Sequence, residues 1–343
     1  MLFHLGALWR LNELAYLPKL VRISSVSGGS ITAGVLGHRW PALAFVADVA
    51  TRFEDEVVAR LRAMASHTID LGDILKGLFP LGTVADKVAA SYNDYLFQHA
   101  SLQDLPDRPR FVINATNVQS GALWRFSKPY MWDWRVGKIA NPRIELAVAV
   151  GASSAFPPVL SPAQLTLKNS DFVPGTGADL QRPPYTEHVF LTDGGVYDNL
   201  GLETAWKEYD TLLVSDGGGH LAPDPEPHTD WARHALRIAD LIDNQVRSLR
   251  KRQVIGSYLS GDRQGTYWGI RSDINDYPAS SVLPCLSVRT MELAELPTRL
   301  ATVDGTVQQR LLNWGYAICD AAMRSHVVPM APPGRFPYPA VGV

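Results

Sequence analysis

Two serine- and aspartate-bearing turns are the residues most able to do chemistry. The first is Ile23-Ser24-Ser25-Val26-Ser27-Gly28-Gly29-Ser30-Ile31. An apolar lead-in at 20–23 reads as a short buried strand, and the small, apolar residues from Ile31 to Leu36 read as the start of a helix. A serine at the apex of a strand–turn–helix points its hydroxyl away from the backbone, as in a nucleophile elbow. A strained turn needs neighbours of low steric demand, so Gly28 and Gly29 are expected where the helix packs close to the strand. The helix start just behind Ser27 would favour negative charge developing there, with the Gly28 amide as a donor. The pattern departs from G-x-S-x-G because Ser25 stands at the first glycine position; a serine- and glycine-rich loop without chemistry has the same composition.

A serine hydroxyl is a poor nucleophile near neutral pH and needs an adjacent base. A Ser–Asp–His triad would draw its histidine from His220, His228, His234 or His326. Only 26 residues precede Ser27, whereas several strands precede the serine in the α/β-hydrolase arrangement that uses such triads. The other candidate is a Ser–Asp dyad. Asp193 closes a short apolar strand and is followed by Gly194-Gly195, which lets the backbone pass close to the elbow. Burial would raise its pKa and make it a better proton acceptor. Asp216, in Ser215-Asp216-Gly217-Gly218, has nearly the same setting, and local chemistry does not choose between the two.

The elements that must position these groups follow from periodicity. Residues 1–17 carry leucines at helical spacing up to Pro18. Helical patterns cover about 41–64 and, interrupted by Gly72, Gly77, Pro80 and Gly82, 66–100. Strands are predicted at 110–117, with a hairpin partner at 123–126, and at 189–192, 211–215 and 284–289. Helices are predicted at 144–150, 229–254 and 303–325, and a loop over 161–186. Strands alternating with helices predict an α/β fold, a three-layer sandwich with a mostly parallel central sheet. Residues 1–220 read as the catalytic core and 221–343 as a C-terminal elaboration of the same domain.

Composition narrows the classes of function. With 46% hydrophobic and 19% charged residues the chain can bury a large core. A net charge of -2 supplies no global field to recruit nucleic acid or anionic lipid. Cys285 and Cys319 are too few for a disulfide framework, no cysteine or histidine cluster has metal-ligand spacing, and neither metal nor cofactor is expected. There is no apolar run near the roughly 18 residues of a membrane span and no secretory signal at the N-terminus, which predicts a cytoplasmic protein, at most peripheral to a membrane.

Four blocks in order resemble the patatin-like phospholipases, relatives of the cytosolic phospholipase A2 catalytic domain. Ser25-Val26-Ser27-Gly28-Gly29 resembles their elbow, Asn114-Ala115-Thr116-Asn117 their central strand end, Ala152-Ser153-Ser154-Ala155-Phe156-Pro157-Pro158 their small-residue-then-proline block, and Asp193-Gly194-Gly195-Val196-Tyr197-Asp198-Asn199 their D-G-G/A motif with its following Asp-Asn. The resemblance covers roughly 1–220. It implies Ser27 as nucleophile and Asp193 as base, with no catalytic histidine, and a loop role for Asp216. The implied activity is that of a serine esterase of lipid metabolism, acting on a lipid or small ester through an acyl-enzyme and touching a membrane surface transiently. In this reading Phe156-Pro157-Pro158 shapes the acyl pocket, and Asp198 and Asn199 organise the loop behind Asp193. The family's glycine-rich oxyanion loop precedes its first helix, and residues 1–8 resemble that helix. Either Met1 is an internal methionine of a longer protein, or the chain lacks that loop and is a weak or inactive module that binds lipid or a protein partner. Trp124, Tyr130, Trp132 and Trp134 are expected to pack beneath a lid, and Arg247, Arg250, Lys251 and Arg252 to complement the dipole at a helix C-terminus.

Overall fold

The computed structural model describes residues 1–68, 84–297 and 301–343. The leucine spacing of the first segment gives α1 (Leu2–Glu13), which buries Leu2, Phe3, Leu5 and Leu11. Strand β1 (Arg22–Ser25) and helix α2 (Gly28–Arg39) flank Ser27. The helix expected over 41–64 is shorter: β2 (Phe45–Val46) and β3 (Val49–Ala50) form a hairpin instead. Its two turn residues, Ala47 and Asp48, both have positive φ, the geometry of a tight reversal. The apolar residues of these strands mimic helical spacing. A π-helical turn, Glu54–Val58, then leads into α3 (Ala59–Ala65). Of the pattern expected over 66–100, α4 (Val84–Tyr92) and a π-helical turn at Asn93–Phe97 are present. Gly72, Gly77, Pro80 and Gly82 lie outside the described residues.

Strands β4 (Arg110–Asn117), β5 (Ala122–Phe126), β6 (Tyr130–Asp133) and β7 (Gly137–Ala140) follow as a meander. Helix α5 (Leu146–Ser153), β8 (Ala163–Thr166) inside the expected loop, and β9 (His188–Asp193) complete the main sheet. Its order is β7-β6-β5-β4-β9-β8, with β1 also on β4. The expectation of a mostly parallel sheet is corrected here. Only β1–β4 is parallel, and every other pairing in this sheet is antiparallel. The links from β4 to β7 are three or four residues long, which suits hairpins; a parallel crossover needs a dozen residues or more.

Two strands meet end to end on one edge of β4. Because β5 holds the other edge of Ile113–Asn117, β1 and β9 share the same side. Ser25 is opposite Ile113 and Asp193 opposite Ala115. The chain thus leaves β1 and β9 at the same point from opposite directions.

Beyond this sheet come α6 (Gly195–Asp198), α7 (Glu203–Trp206), β10 (Thr211–Asp216), α8 (Trp231–Leu259) and β11 (Gln264–Gly269). β10 and β11 pair in parallel as a separate two-stranded sheet, with α8 as their crossover. The strand expected at 284–289 is irregular up to Leu286, where α9 (Ser287–Ala294) begins. The last helix is α10 (Gly305–His326). It crosses α1 so closely that a Cβ at Gly6 would sit 2.0 Å from the Leu312 carbonyl oxygen, and one at Gly315 1.9 Å from that of Phe3. Buried Asp320 on α10 accepts from Arg10 at 2.8 Å and from Arg324 at 3.1 Å. Among the described residues no helix is long and apolar enough to cross a membrane.

Candidate active site

Ser27 is half-buried and takes φ 51°, ψ -131°, a region that costs a non-glycine residue about 1–3 kcal/mol. Several bonds hold it there. Its amide donates to both the carbonyl oxygen and Oγ of Ser153, each at 3.1 Å. Ser30 Oγ donates to Ser25 Oγ at 3.0 Å and pairs with Ser153 Oγ at 2.8 Å. Asn114 Nδ2 donates to the Ser25 carbonyl and to Ser24 Oγ, each at 2.9 Å, and so ties down the end of β1. The elbow glycines face the N-terminal segment. A Cβ at Gly28 would lie 3.2 Å from the Met1 nitrogen, and one at Gly29 would make only ordinary contact with the His4 ring at 3.9 Å. As the first residue of α2, Gly28 has an amide with no intrahelical acceptor.

Asp193 ends β9 and is 2% exposed. Its amide donates to the Ala155 carbonyl at 3.0 Å, and its own carbonyl accepts from Thr116 Oγ1 at 2.8 Å. The Gly194 amide donates to the Ser153 carbonyl at 3.1 Å. That carbonyl therefore accepts from Ser27 and from Gly194, and it links the elbow directly to the Asp193 turn. Gly194 is required sterically, since a Cβ would fall 2.2 Å from the Asn114 carbonyl oxygen. Asp193 Oδ1 accepts from the Gly195 amide at 2.7 Å. Burial pushes the carboxyl up to about 6, against the opposing pull of the Ser27 hydroxyl and the Gly195 amide; Asp243 pushes it further up and Arg247 pulls it down. The Ser27 hydroxyl is thus close enough to the carboxyl to favour its ionised form, and Asp193 Oδ2 is buried with no hydrogen-bond partner.

The second turn differs. Asp216 Oδ1 accepts from the Gly218 amide at 2.9 Å, while Oδ2 accepts from the Tyr267 hydroxyl at 2.7 Å. The histidines weighed for a triad, His220, His228, His234 and His326, are all exposed, and among the described residues none hydrogen-bonds to Ser27 or Asp193. His4, which the sequence did not single out, is the histidine beside the elbow. Its Nδ1 is 2.8 Å from Ser215 Oγ, and burial pushes its imidazole down to about 3.

The flanking motif residues hold the loop. Asp198 is buried, accepts from the Glu203 amide at 2.6 Å and lies 3.6 Å from Arg250; burial raises its pKa and Arg250 opposes the rise. Asn199 Nδ2 reaches Asp243 at 3.5 Å. Arg247, Arg250, Lys251 and Arg252 do not cap a helix end, since α8 runs on to Leu259. Asn117 bonds to Asp133 at 2.9 Å, far along the meander. Trp124 is fully buried, Trp132 stacks under Arg125, and Trp134 and Phe156 are exposed. The Ser153 carbonyl and the Thr116 hydroxyl were missed because a backbone acceptor, or a hydroxyl bonded to backbone, has no signature in residue type.

With this geometry in place, the sequence profile of the patatin-like phospholipases matches residues 1–206. The chain belongs to the patatin-like phospholipase family. No curated protein matches it significantly. Patatin-like phospholipases act on lipid substrates, which makes lipid hydrolysis the class of activity. The patatin match ends with α7, so Ser27, Ser153 and Asp193 lie within it and α8 lies beyond it.

Proposed function

We propose that this patatin-like protein is a serine lipid acyl hydrolase, a phospholipase or esterase, working through a Ser27–Asp193 dyad and an acyl-enzyme. Asp193 takes the Ser27 proton as Oγ attacks the ester carbonyl. The tetrahedral oxyanion is met by the Gly28 amide at the positive end of α2. Collapse expels the alcohol, which leaves with the proton from Asp193. Asp193 then deprotonates the water that releases the fatty acid. A carboxyl at about 6 is ionised at neutral pH, yet basic enough for general-base catalysis.

The observation that carries this reading is the shared Ser153 carbonyl, which accepts from the Ser27 and Gly194 amides at 3.1 Å each, with the Asp193 carboxyl close enough for the Ser27 hydroxyl to act on it. The division into a core at 1–220 and an elaboration at 221–343 belongs to the same proposal, with α10 against α1 as its support. A fluorophosphonate probe with mass spectrometry tests it. An adduct at Ser27 that is absent from Ser27→Ala and strongly slowed in Asp193→Asn is expected. A folded protein without the adduct, or with one on another serine, rejects the dyad.

A further inference from the structure

Three residues on one face of α8 reach the loops that follow both aspartates. Asp243, Arg247 and Arg250 are four and three residues apart, so they share a stripe of the helix with buried Val254. On the Asp193 side, Asn199 Nδ2 reaches the Asp243 carbonyl and Oδ1, each at 3.5 Å. Asn199 lies beside Gly195, where a Cβ would be 3.8 Å from Asn199 Cβ and 3.0 Å from Asp193 Oδ1. Arg250 donates to the Tyr197 carbonyl at 3.3 Å and lies 3.6 Å from Asp198. On the Asp216 side, the Arg247 guanidinium lies against Gly218, where a Cβ would meet Nη1 at 2.6 Å and Cζ at 2.7 Å, and it donates to the Gly219 carbonyl. Arg247 pairs with Asp243 at 3.1 Å. One ion pair on α8 therefore touches both loops, and α8 follows the stretch that matches the family.

The polar atoms gathered here are incompletely satisfied. Asp193 Oδ2, Asp198 Oδ1, Asn199 Oδ1 and Arg247 Nε are each buried without a hydrogen-bond partner. Such groups cost stability, and they concentrate at functional sites. Charge gives the ion pair a role there. Burial drives the Asp193 carboxyl towards its neutral form, and Asp243 adds to that push. The Ser27 hydroxyl, the Gly195 amide and Arg247 favour the charged form. The buried Tyr92 phenol of α4 also feels the carboxylate. A carboxylate shut away from water needs a countercharge to stay ionised at neutral pH. Arg247 supplies it and Asp243 limits it, so the base is charged and still basic.

We propose that Arg247, braced by Asp243, is a positioning residue of the Ser27–Asp193 dyad: from α8 it holds the loop after Asp193 and keeps the Asp193 carboxylate charged when Ser27 needs a base. The role rests on the dyad reading above, so the carboxyl is followed apart from the chemistry. In the full chain labelled with carbon-13 at its aspartate carboxyls, the Asp193 resonance is the one lost in Asp193→Asn, and nuclear magnetic resonance follows its titration midpoint. Arg247→Gln is expected to move the midpoint up and Asp243→Asn to move it down. Arg247→Lys, which keeps the charge without the planar fork, is expected to leave it near the wild-type value. Fluorophosphonate labelling of Ser27 at about pH 5 slows at least about threefold in Arg247→Gln and speeds up in Asp243→Asn. A merely structural role would change labelling by the same factor at every pH and leave the midpoint in place. A midpoint that Arg247→Gln does not move, or that Arg247→Lys moves as far, overturns the proposal. Moved midpoints without any labelling of wild-type Ser27 remove the dyad reading and keep the hold of α8 on Asp193. Should Arg247→Gln fail to fold by circular dichroism, Asp243→Asn carries the test, and an unmoved midpoint there overturns the proposal as well.

Discussion

Asp193 and Asp216 sit in nearly the same local sequence and in opposite chemical positions. Each ends a strand, is followed by Gly-Gly, and closes an identical turn, with Oδ1 accepting the amide two residues on at 2.7 and 2.9 Å. The whole difference lies at Oδ2. In Asp216 it is satisfied by Tyr267, a residue of a different strand. In Asp193 it is buried and unpartnered, in a carboxyl that the Ser27 hydroxyl acts on. An unsatisfied buried carboxylate oxygen is costly, and such groups concentrate where a reaction supplies the missing partner. The turn makes a carboxylate available, and what the tertiary fold puts opposite Oδ2 gives it a task.

The largest expected effect breaks the symmetry directly. On a soluble ester, Ser27→Ala should lower kcat/KM by about 10⁴-fold or more and Asp193→Asn by about 10³-fold. Asp216→Asn should stay within about tenfold, since the carboxylate touches neither serine nor substrate in the proposed mechanism. Comparable losses at both aspartates would erase the distinction. The second test is pH. With Asp193 at about 6, kcat/KM should fall below that pH with the slope of a single proton. Arg247→Gln should move the midpoint upward, because Arg247 favours the ionised form, and Asp243→Asn should move it downward. A profile flat from pH 5 to 8, the range about this midpoint, argues against Asp193 as the base.

How much of this was written in the sequence follows from where each interaction originates. The elbow, the Asp193 turn and the Ser153 block are local: a short run of small residues dictates each, and their order along the chain carried the family resemblance. Helices α1, α5, α8 and α10 were legible from apolar spacing, to within a few residues at their ends. Strand direction was not, because it depends on which strands short links can join, and hairpins won over crossovers from β4 to β7. Strand β11 was missed because its two glycines hide Thr266-Tyr267-Trp268, and with it went the partner that separates Asp216 from Asp193. The choice between the two aspartates became physical only when Tyr267, 51 residues from Asp216, and Ser153, 126 residues from Ser27, were in place.

The third test reads the same contrast as stability. Asp193 is raised from 3.8 to about 6 in the folded protein, so the unfolded chain gives up its proton first. The group therefore lowers stability progressively as pH rises from about 4 through 6, by about 3 kcal/mol above pH 7 at about 1.36 kcal/mol per unit. Asp193→Asn keeps the shape and an acceptor for Gly195 while removing the charge. It should match the wild type near pH 4 and exceed it by up to about 3 kcal/mol at pH 8, measured by denaturant midpoint at constant slope. Asp216→Asn should weaken a bond already made and lower stability at both pH values. A destabilised Asp193→Asn at pH 8 would mean that the carboxylate has a partner in solution.

The smallest effect is the sharpest for the comparison, because it removes the one contact that separates the two sites. Burial and the Asp216 carboxylate both push the Tyr267 phenol far up, so it remains a hydrogen-bond donor at working pH. Tyr267→Phe takes away that donor with little change of shape and leaves Asp216 with one amide bond and a bare Oδ2, as in Asp193. The loss of one buried bond to a charged acceptor should lower stability by about 1–3 kcal/mol. Fluorophosphonate labelling of Ser27 should keep its rate, since the proposed reaction runs through Ser27 and Asp193 and not through Asp216. A slowed reaction at Ser27 would show that the β10 turn is coupled to the elbow, through Ser215 and His4 at 2.8 Å, and that the two aspartates act together.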